Sequence, residues 1–254
     1  MVILINYKVT LVKIGGSILD SEDNTNSTIS QLRYLAEYGK TNSKFIIIPG
    51  GGKYALFLRY LDKKLGLGDD LSHWEAIYSM DYNGLELKEK YKSIQITSDF
   101  NKLMEFKDGC VKDAKITLFL PYDYLQQEDE LPHTWDVTSD SIAIYLAHRL
   151  QLEECYLIKD VDGILDKQGN LIREINSHKF ESLRDTHGLQ LFKKKVSIIK
   201  TSTPMDAYSL NLINTYKIRC ILLNGSHNKS GLKSYFQNPS NPSTKYTRII
   251  PSNL

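Results

Sequence analysis

Four short stretches of the chain carry the residue types that phosphate chemistry needs. Leu11 to Leu19 reads LVKIGGSIL, an apolar run with Lys13 near its end followed by Gly15, Gly16 and Ser17. Ile46 to Lys53, IIIPGGGK, repeats the arrangement with Gly50, Gly51, Gly52 and Lys53. Glycines at the end of a strand let the backbone approach a ligand closely and aim successive N–H groups at an anion. Lys13 stands two residues before its turn, so strand alternation lets its side chain reach the same place. Tyr156 to Leu165, YLIKDVDGIL, delivers Lys159, Asp160 and Asp162 to a turn at Gly163. Carboxylates beside a lysine-bearing site would orient the lysines and help organise a metal-nucleotide, and phosphoryl transfer needs mainly such positioning and charge stabilisation. Leu131 to Ala147, LPHTWDVTSDSIAIYLA, sets Trp135, Asp136, Thr138 and Asp140 before an apolar helix. Neither glycine turn has the spacing of a Walker P-loop or of the G-x-G-x-x-G dinucleotide fingerprint.

Short apolar or β-branched runs alternate with longer amphipathic stretches, the pattern of a largely parallel sheet covered by helices on both faces. Strands are expected near Lys8 to Ile14, Lys44 to Ile48, Ser93 to Thr97, Lys115 to Leu120, Cys155 to Lys159 and Ile218 to Leu223. Helices are expected near Thr28 to Tyr38, Tyr54 to Leu65, Ser72 to Tyr91, Ser139 to Arg149 and Pro204 to Tyr216. In such open sheets ligands sit at the carboxyl ends of the strands, where both glycine turns would lie. The acidic stretch Gln126 to Pro132 is read as a surface loop between two halves, 1–127 and 128–254, of one domain. Asp166 to Gly169, DKQG, reads as the turn of a small hairpin.

The 254 residues hold 32 Lys plus Arg against 30 Asp plus Glu, so no bulk positive field argues for nucleic acid or an anionic membrane. Cys110, Cys155 and Cys220 have no metal-ligand spacing and are expected to be reduced, buried thiols of a cytoplasmic protein. No apolar run approaches a membrane span, and no signal-like core precedes Asn6, Tyr7 and Lys8.

In the order and spacing of KIGGS (Lys13 to Ser17), PGGG (Pro49 to Gly52), TSDSIA (Thr138 to Ala143), KDVDGI (Lys159 to Ile164) and LLNG (Leu222 to Gly225, then Gly231 and Leu232), the chain resembles the amino acid kinase superfamily over nearly its whole length. That group contains acetylglutamate, aspartate, uridylate and isopentenyl phosphate kinases. The resemblance implies an open αβα sandwich of α/β class, with the phosphate acceptor in the N-terminal half, ATP with Mg²⁺ in the C-terminal half, and a homo-oligomeric assembly. It implies that Lys13 stabilises the transferring phosphoryl group and that Gly15, Gly16, Gly51 and Gly52 supply backbone donors. Asp160 matches the aspartate that orients the catalytic lysines in acetylglutamate kinase. Lys200, six residues before Asp206, matches the second catalytic lysine, with Lys193 to Lys195 leaving that assignment open.

HWEAIYSMDYNG (His73 to Gly84) and PHTWDVTSDSIA (Pro132 to Ala143) further resemble the branch that phosphorylates an aminomethyl-furan-methyl phosphate to its diphosphate in methanofuran biosynthesis, with Thr134 where serine is expected. Such an acceptor would be met by Lys53, Arg59 and His73 as cations and by Asp81 or Asp136 as the carboxylate for its amine. Trp135 either walls the ring or packs in the core, and Asp140 matches the superfamily's aspartate beside acceptor and phosphates. No general base stands out, which suits a phosphate acceptor because its oxygen is already ionised near neutral pH. Other acceptors, or a non-catalytic nucleotide-binding protein on the same fold, are the alternatives.

Overall fold

The computed structural model describes residues 7–39, 43–111, 113–190 and 204–252. Strand β1 (Lys8–Ile14) runs through a one-turn helix α1 (Gly16–Leu19) into α2 (Glu22–Tyr38). Then follow β2 (Ser43–Pro49), α3 (Gly52–Leu65), α4 (Asp69–Lys90), β3 (Gln95–Thr97), α5 (Phe100–Lys107), β4 (Ile116–Phe119) and α6 (Tyr122–Glu128). The chain continues with α7 (Ser139–Arg149), β5 (Glu154–Lys159), the short β6 (Ile164–Leu165) and β7 (Leu171–Ile172), β8 (Glu174–Asn176) and α8 (Ser177–Asp185). It closes with α9 (Tyr208–Tyr216), β9 (Arg219–Asn224), α10 (Gly231–Gln237) and β10 (Thr247–Ile250).

Eight strands form one sheet in the order β3-β4-β2-β1-β5-β9-β10-β8, parallel except where β10 meets β9. All seven residues of β2 are buried, as a parallel strand covered on both faces requires. Alternate side chains go to opposite faces. Leu11, Ile46, Leu157 and Leu222 pack with α7 and α9 in one core, and Val12, Ile47, Ile158 and Ile221 with α2 and α10 in the other. The expected three-layer αβα sandwich is therefore what the chain builds.

Because β1 pairs with β2 on one side and β5 on the other, a single sheet joins both halves of the chain. The segment read as a polar loop from Gln126 instead completes α6 as far as Glu128, and Asp129 in the left-handed region (φ 47°) ends that helix. The DKQG turn does close a hairpin, with Ile164 opposite Ile172. Cys155 and Cys220 are buried as register partners on β5 and β9, whereas Cys110 is exposed, contrary to expectation. No helix of the described residues is long and apolar enough to cross a membrane.

Candidate active site

The parallel register lays the carboxyl ends of β1, β2 and β5 side by side, with Ile14 opposite both Pro49 and Ile158. Gly15 donates its N–H to Ile158 O at 2.8 Å and Gly50 to Ile14 O at 2.9 Å, so these two amides extend the sheet and are not free for a ligand. The amides that follow are different. Gly16 and Ser17 open α1, Gly51 and Gly52 open α3, and all four N–H groups lack an acceptor among the described residues. The turns touch: a Cβ at Gly16 would stand 2.5 Å from Gly52 Cα, and Gly52 itself sits at φ +55°. Asp20 accepts the Lys53 N–H at 2.9 Å and Asn83 donates to Gly50 O at 2.6 Å, fixing the second turn, while the Lys53 side chain is exposed.

Beneath these amides lies a buried charge group. Lys13 Nζ donates to Asp140 Oδ1 at 2.9 Å, and Lys159 Nζ reaches both Asp140 oxygens at 2.7 and 2.6 Å. Lys13 comes from the penultimate position of β1, Lys159 from the end of β5 and Asp140 from the first turn of α7, whose N-terminal dipole favours a carboxylate. Burial pulls the Lys13 pKa down to about 8, against the opposing attraction of Asp140. Burial alone would raise Asp140, but the two ammonium groups outweigh it and hold the carboxyl well below its usual range. Two cations on one anion leave a net positive charge next to four unpaired amides, an arrangement that holds an anion and stabilises charge spreading over phosphoryl oxygens.

Asp160 does not take the lysine-orienting part. It lies just beyond the end of β5, where it is exposed and makes no side-chain bond among the described residues. Asp140 holds the lysines instead. Lys200 and the run 193–195 lie outside the described residues, so the second expected lysine is not placed.

The acceptor-side residues separate into two groups. Arg59 Nη2 donates to Trp135 O at 2.9 Å and its guanidinium lies 4.6 Å from the Trp135 ring centroid. Asp136 is exposed beside it, and Thr138 caps α7. His73 and Asp81 face elsewhere. His73 is buried and stacked on His133 (4.4 Å), and burial drives its pKa down to about 4, so it supplies no cation near neutral pH. Asp81 is buried against the start of α6, accepting the Tyr122 N–H at 3.3 Å, and burial raises its pKa to about 7. Of the residues expected to meet the nucleotide, Asp162 is bonded to Asn224 at 2.7 Å and Lys245 at 3.0 Å. Gly163 serves packing instead, because a Cβ there would meet Thr247 Oγ1 at 2.5 Å.

The family model for the amino acid kinase family matches residues 8–224. The chain belongs to the amino acid kinase family. It is 35% identical over 221 residues, 86% of this chain and 94% of the other, to the [5-(aminomethyl)furan-3-yl]methyl phosphate kinase of Methanocaldococcus jannaschii. It is 24% identical to the acetylglutamate kinase of Campylobacter hominis, over 70% of this chain and 72% of that one. Among solved structures, the UMP kinase of Ureaplasma parvum aligns with a TM-score of 0.65 at 17% identity, covering 96% of this chain and 99% of that one. The aspartate kinase of Synechocystis aligns at 0.60 and 12%, covering 97% of this chain and 40% of its own. Membership makes the protein a phosphotransferase, and the Lys13–Asp140–Lys159 group is the part of this amino acid kinase suited to that chemistry.

Asp206, used in the sequence only to locate a lysine, has a larger part in this kinase. Its carboxylate accepts from Thr138 N and Oγ1 (3.1 and 2.6 Å), from Ser141 N and Oγ (3.1 and 2.7 Å) and from Ser209 N and Oγ (2.8 and 2.5 Å). One side chain thus joins the N-termini of α7 and α9 and fixes the turn that presents Asp140. The signal available for it was the aspartate just before a helix flanked by serine, an ordinary capping pattern. Asp62, which accepts the Trp135 indole N–H at 2.7 Å, had no distinguishing signal.

Proposed function

We propose that the chain is an ATP- and Mg²⁺-dependent kinase that transfers the γ-phosphoryl group to a phosphomonoester, an aminomethyl-furan-methyl phosphate or close analogue, giving a diphosphate. The observation that carries the reaction type is the buried Lys13–Asp140–Lys159 group below the free amides of Gly16, Ser17, Gly51 and Gly52. Identity to the relative that covers nearly the full length of both chains supports the acceptor. The donor set suits nucleotide phosphates. Both Asp140 oxygens are engaged by ammonium groups, and the described residues include no His, Cys, Asp or Glu cluster for a metal. Mg²⁺ would therefore ride mainly on the nucleotide's own phosphates, as this ion commonly does.

Lys13 and Lys159 would neutralise the charge that develops on the transferring group, and the glycine-turn amides would hold its oxygens in place. Asp136 is better suited than Asp81 to meet the acceptor's ammonium, because it is exposed while Asp81 is buried and half-neutralised near pH 7. The attacking phosphate oxygen needs no general base. We further propose a homo-oligomer built on the outward face of α3 and α4. Helix α3 buries no residue fully, and Leu56, Phe57, Tyr60, Tyr78, Tyr82 and Leu85 remain 38–58% exposed there.

Incubation of the protein with ATP, Mg²⁺ and the furan-methyl phosphate should release ADP and a diphosphate identified by its coupled phosphorus resonances. ADP release no greater than a no-acceptor blank would remove this acceptor. A panel of UMP, isopentenyl phosphate and acetylglutamate would then identify the true one, and tight ATP binding with no turnover on any member would favour a non-catalytic nucleotide binder.

A further inference from the structure

Trp135 is an aromatic side chain that neither core of the sheet claims. The other tryptophan, Trp74, packs against one core cluster in the ordinary way. Trp135 stays half-buried, and polar groups of α3 hold it. Asp62 Oδ2 accepts its indole N–H at 2.7 Å, while the other oxygen of the same carboxylate accepts Leu67 N at 3.0 Å and so is tied to the end of the helix. One turn earlier, the Arg59 guanidinium covers one ring face at 4.6 Å and donates to the Trp135 carbonyl. Two directed contacts onto the half-buried ring and one onto its backbone carbonyl restrict its rotation without burying it fully, which is how a binding surface is preorganised.

Beyond Arg59, no aromatic ring or cation stacks on Trp135 among the described residues. Its place relative to the chemistry is set by both ends of its anchorage. Arg59 lies two turns along α3 from Gly52, roughly 10 Å along the helix. On the other side, Trp135 precedes the Thr138 cap of α7 by three residues and Asp140 by five. Trp135 is thus anchored to the helix that the second glycine turn opens and stands on the segment that leads into the Asp140 turn.

Resting on the kinase reading above, we propose that Trp135 is the stacking platform for a planar ring in the acceptor, and that Asp62 and Arg59 are its positioning residues. Arg59 is accordingly committed to the tryptophan through one of its nitrogens and its π-face, instead of acting only as a phosphate ligand. Selectivity for a flat ring over an aliphatic phosphomonoester is the functional result. A guanidinium behind the indole also polarises it towards an electron-rich ring on the open side.

The test uses the full chain with Trp74→Phe, so that fluorescence reports Trp135 alone. Titration with the furan-methyl phosphate should quench it, while isopentenyl phosphate should not. In steady-state assays Trp135→Ala should raise the ring acceptor's KM about tenfold, the scale on which a lost aromatic stack is felt. ATP KM should hold, and Trp135→Phe should recover part of the loss. Asp62→Asn should give a smaller KM rise with kcat little changed, and a red-shifted, broadened Trp135 emission from a ring no longer held. A Trp135→Ala variant with wild-type KM for the ring acceptor overturns the proposal and leaves the kinase reading standing, as does a wild type that prefers the aliphatic phosphate. If the wild type turns over no acceptor the kinase reading falls, and the fluorescence titration still decides this one: absence of quenching by the ring phosphate rejects it.

Discussion

Lys13 is subject to two opposed forces, and burial is the larger, so its pKa falls from 10.5 to about 8. Between those two values the unfolded chain binds the proton more tightly than the folded one, so stability from this group rises as pH rises through that window. Activity should move the other way, because the transferring phosphoryl group needs the ammonium. We expect kcat/KM to fall as pH rises through about 8 in ADP-release assays, and Lys13→Arg, which stays charged, to remove that alkaline limb in whatever activity it keeps. A wild-type profile flat to the stability limit would take Lys13 out of the chemistry. Lys13→Ala should lower kcat by roughly 10²–10³, the effect of losing one preorganised donor to developing charge. Asp140 gives the complementary dependence: its lowered pKa is stabilising at neutral pH, and that contribution is lost as acid protonates it.

At the level of elements, α7 and α9 are joined less by apolar packing at their starts than by one carboxylate. Asp206 lies just before α9, whose own N-cap Ala207 offers no side-chain acceptor, and it satisfies opening amides of both helices. Its removal leaves Thr138 N, Ser141 N and Ser209 N without that acceptor. Asp206→Ala should lower unfolding free energy by about 3 kcal/mol, in the range for hydrogen bonds to a charged group, as read from urea midpoints at unchanged slope. A loss below about 1 kcal/mol would show that water replaces the clamp. The long elements were legible because their apolar periodicity extends over whole turns or strands. Helices α1, α5, α6, α8 and α10, of four to nine residues, were not legible, because so short a span holds too few periods to distinguish a helix from a polar loop.

For the whole molecule, the single sheet gives the site its rigidity, and large apolar side chains of α3 and α4 remain exposed. Large contiguous apolar patches on soluble monomers seldom exceed about 300–600 Å² and mark association when they do. Basic Lys63 and Lys64 close α3 and acidic Asp69 opens α4, charges that two copies could satisfy reciprocally. Light scattering at micromolar concentration should show a dimer or larger assembly, and Phe57→Glu with Tyr78→Glu should dissociate it. A monomeric wild type would refute the assembly.

The sequence by itself determined the chemistry and the architecture. Glycine turns after apolar strands, in an alternating strand and helix order, lie at the carboxyl ends of neighbouring parallel strands, and the family resemblance gave those turns their chemistry. Lys13, Lys159 and Asp140 were each visible as site candidates. Which carboxylate holds the lysines was decided by the tertiary structure alone, because Lys13 and Asp140 are 127 positions apart and spacing along a chain carries no information about such a pair. Family resemblance pointed to Asp160, whereas the ammonium groups of Lys13 and Lys159 both meet Asp140. The state of Trp135 was open for the same reason. A tryptophan in a polar loop reads alike whether it enters a core or stands on a surface, and only the approach of Arg59 and Asp62 from α3 decided between them.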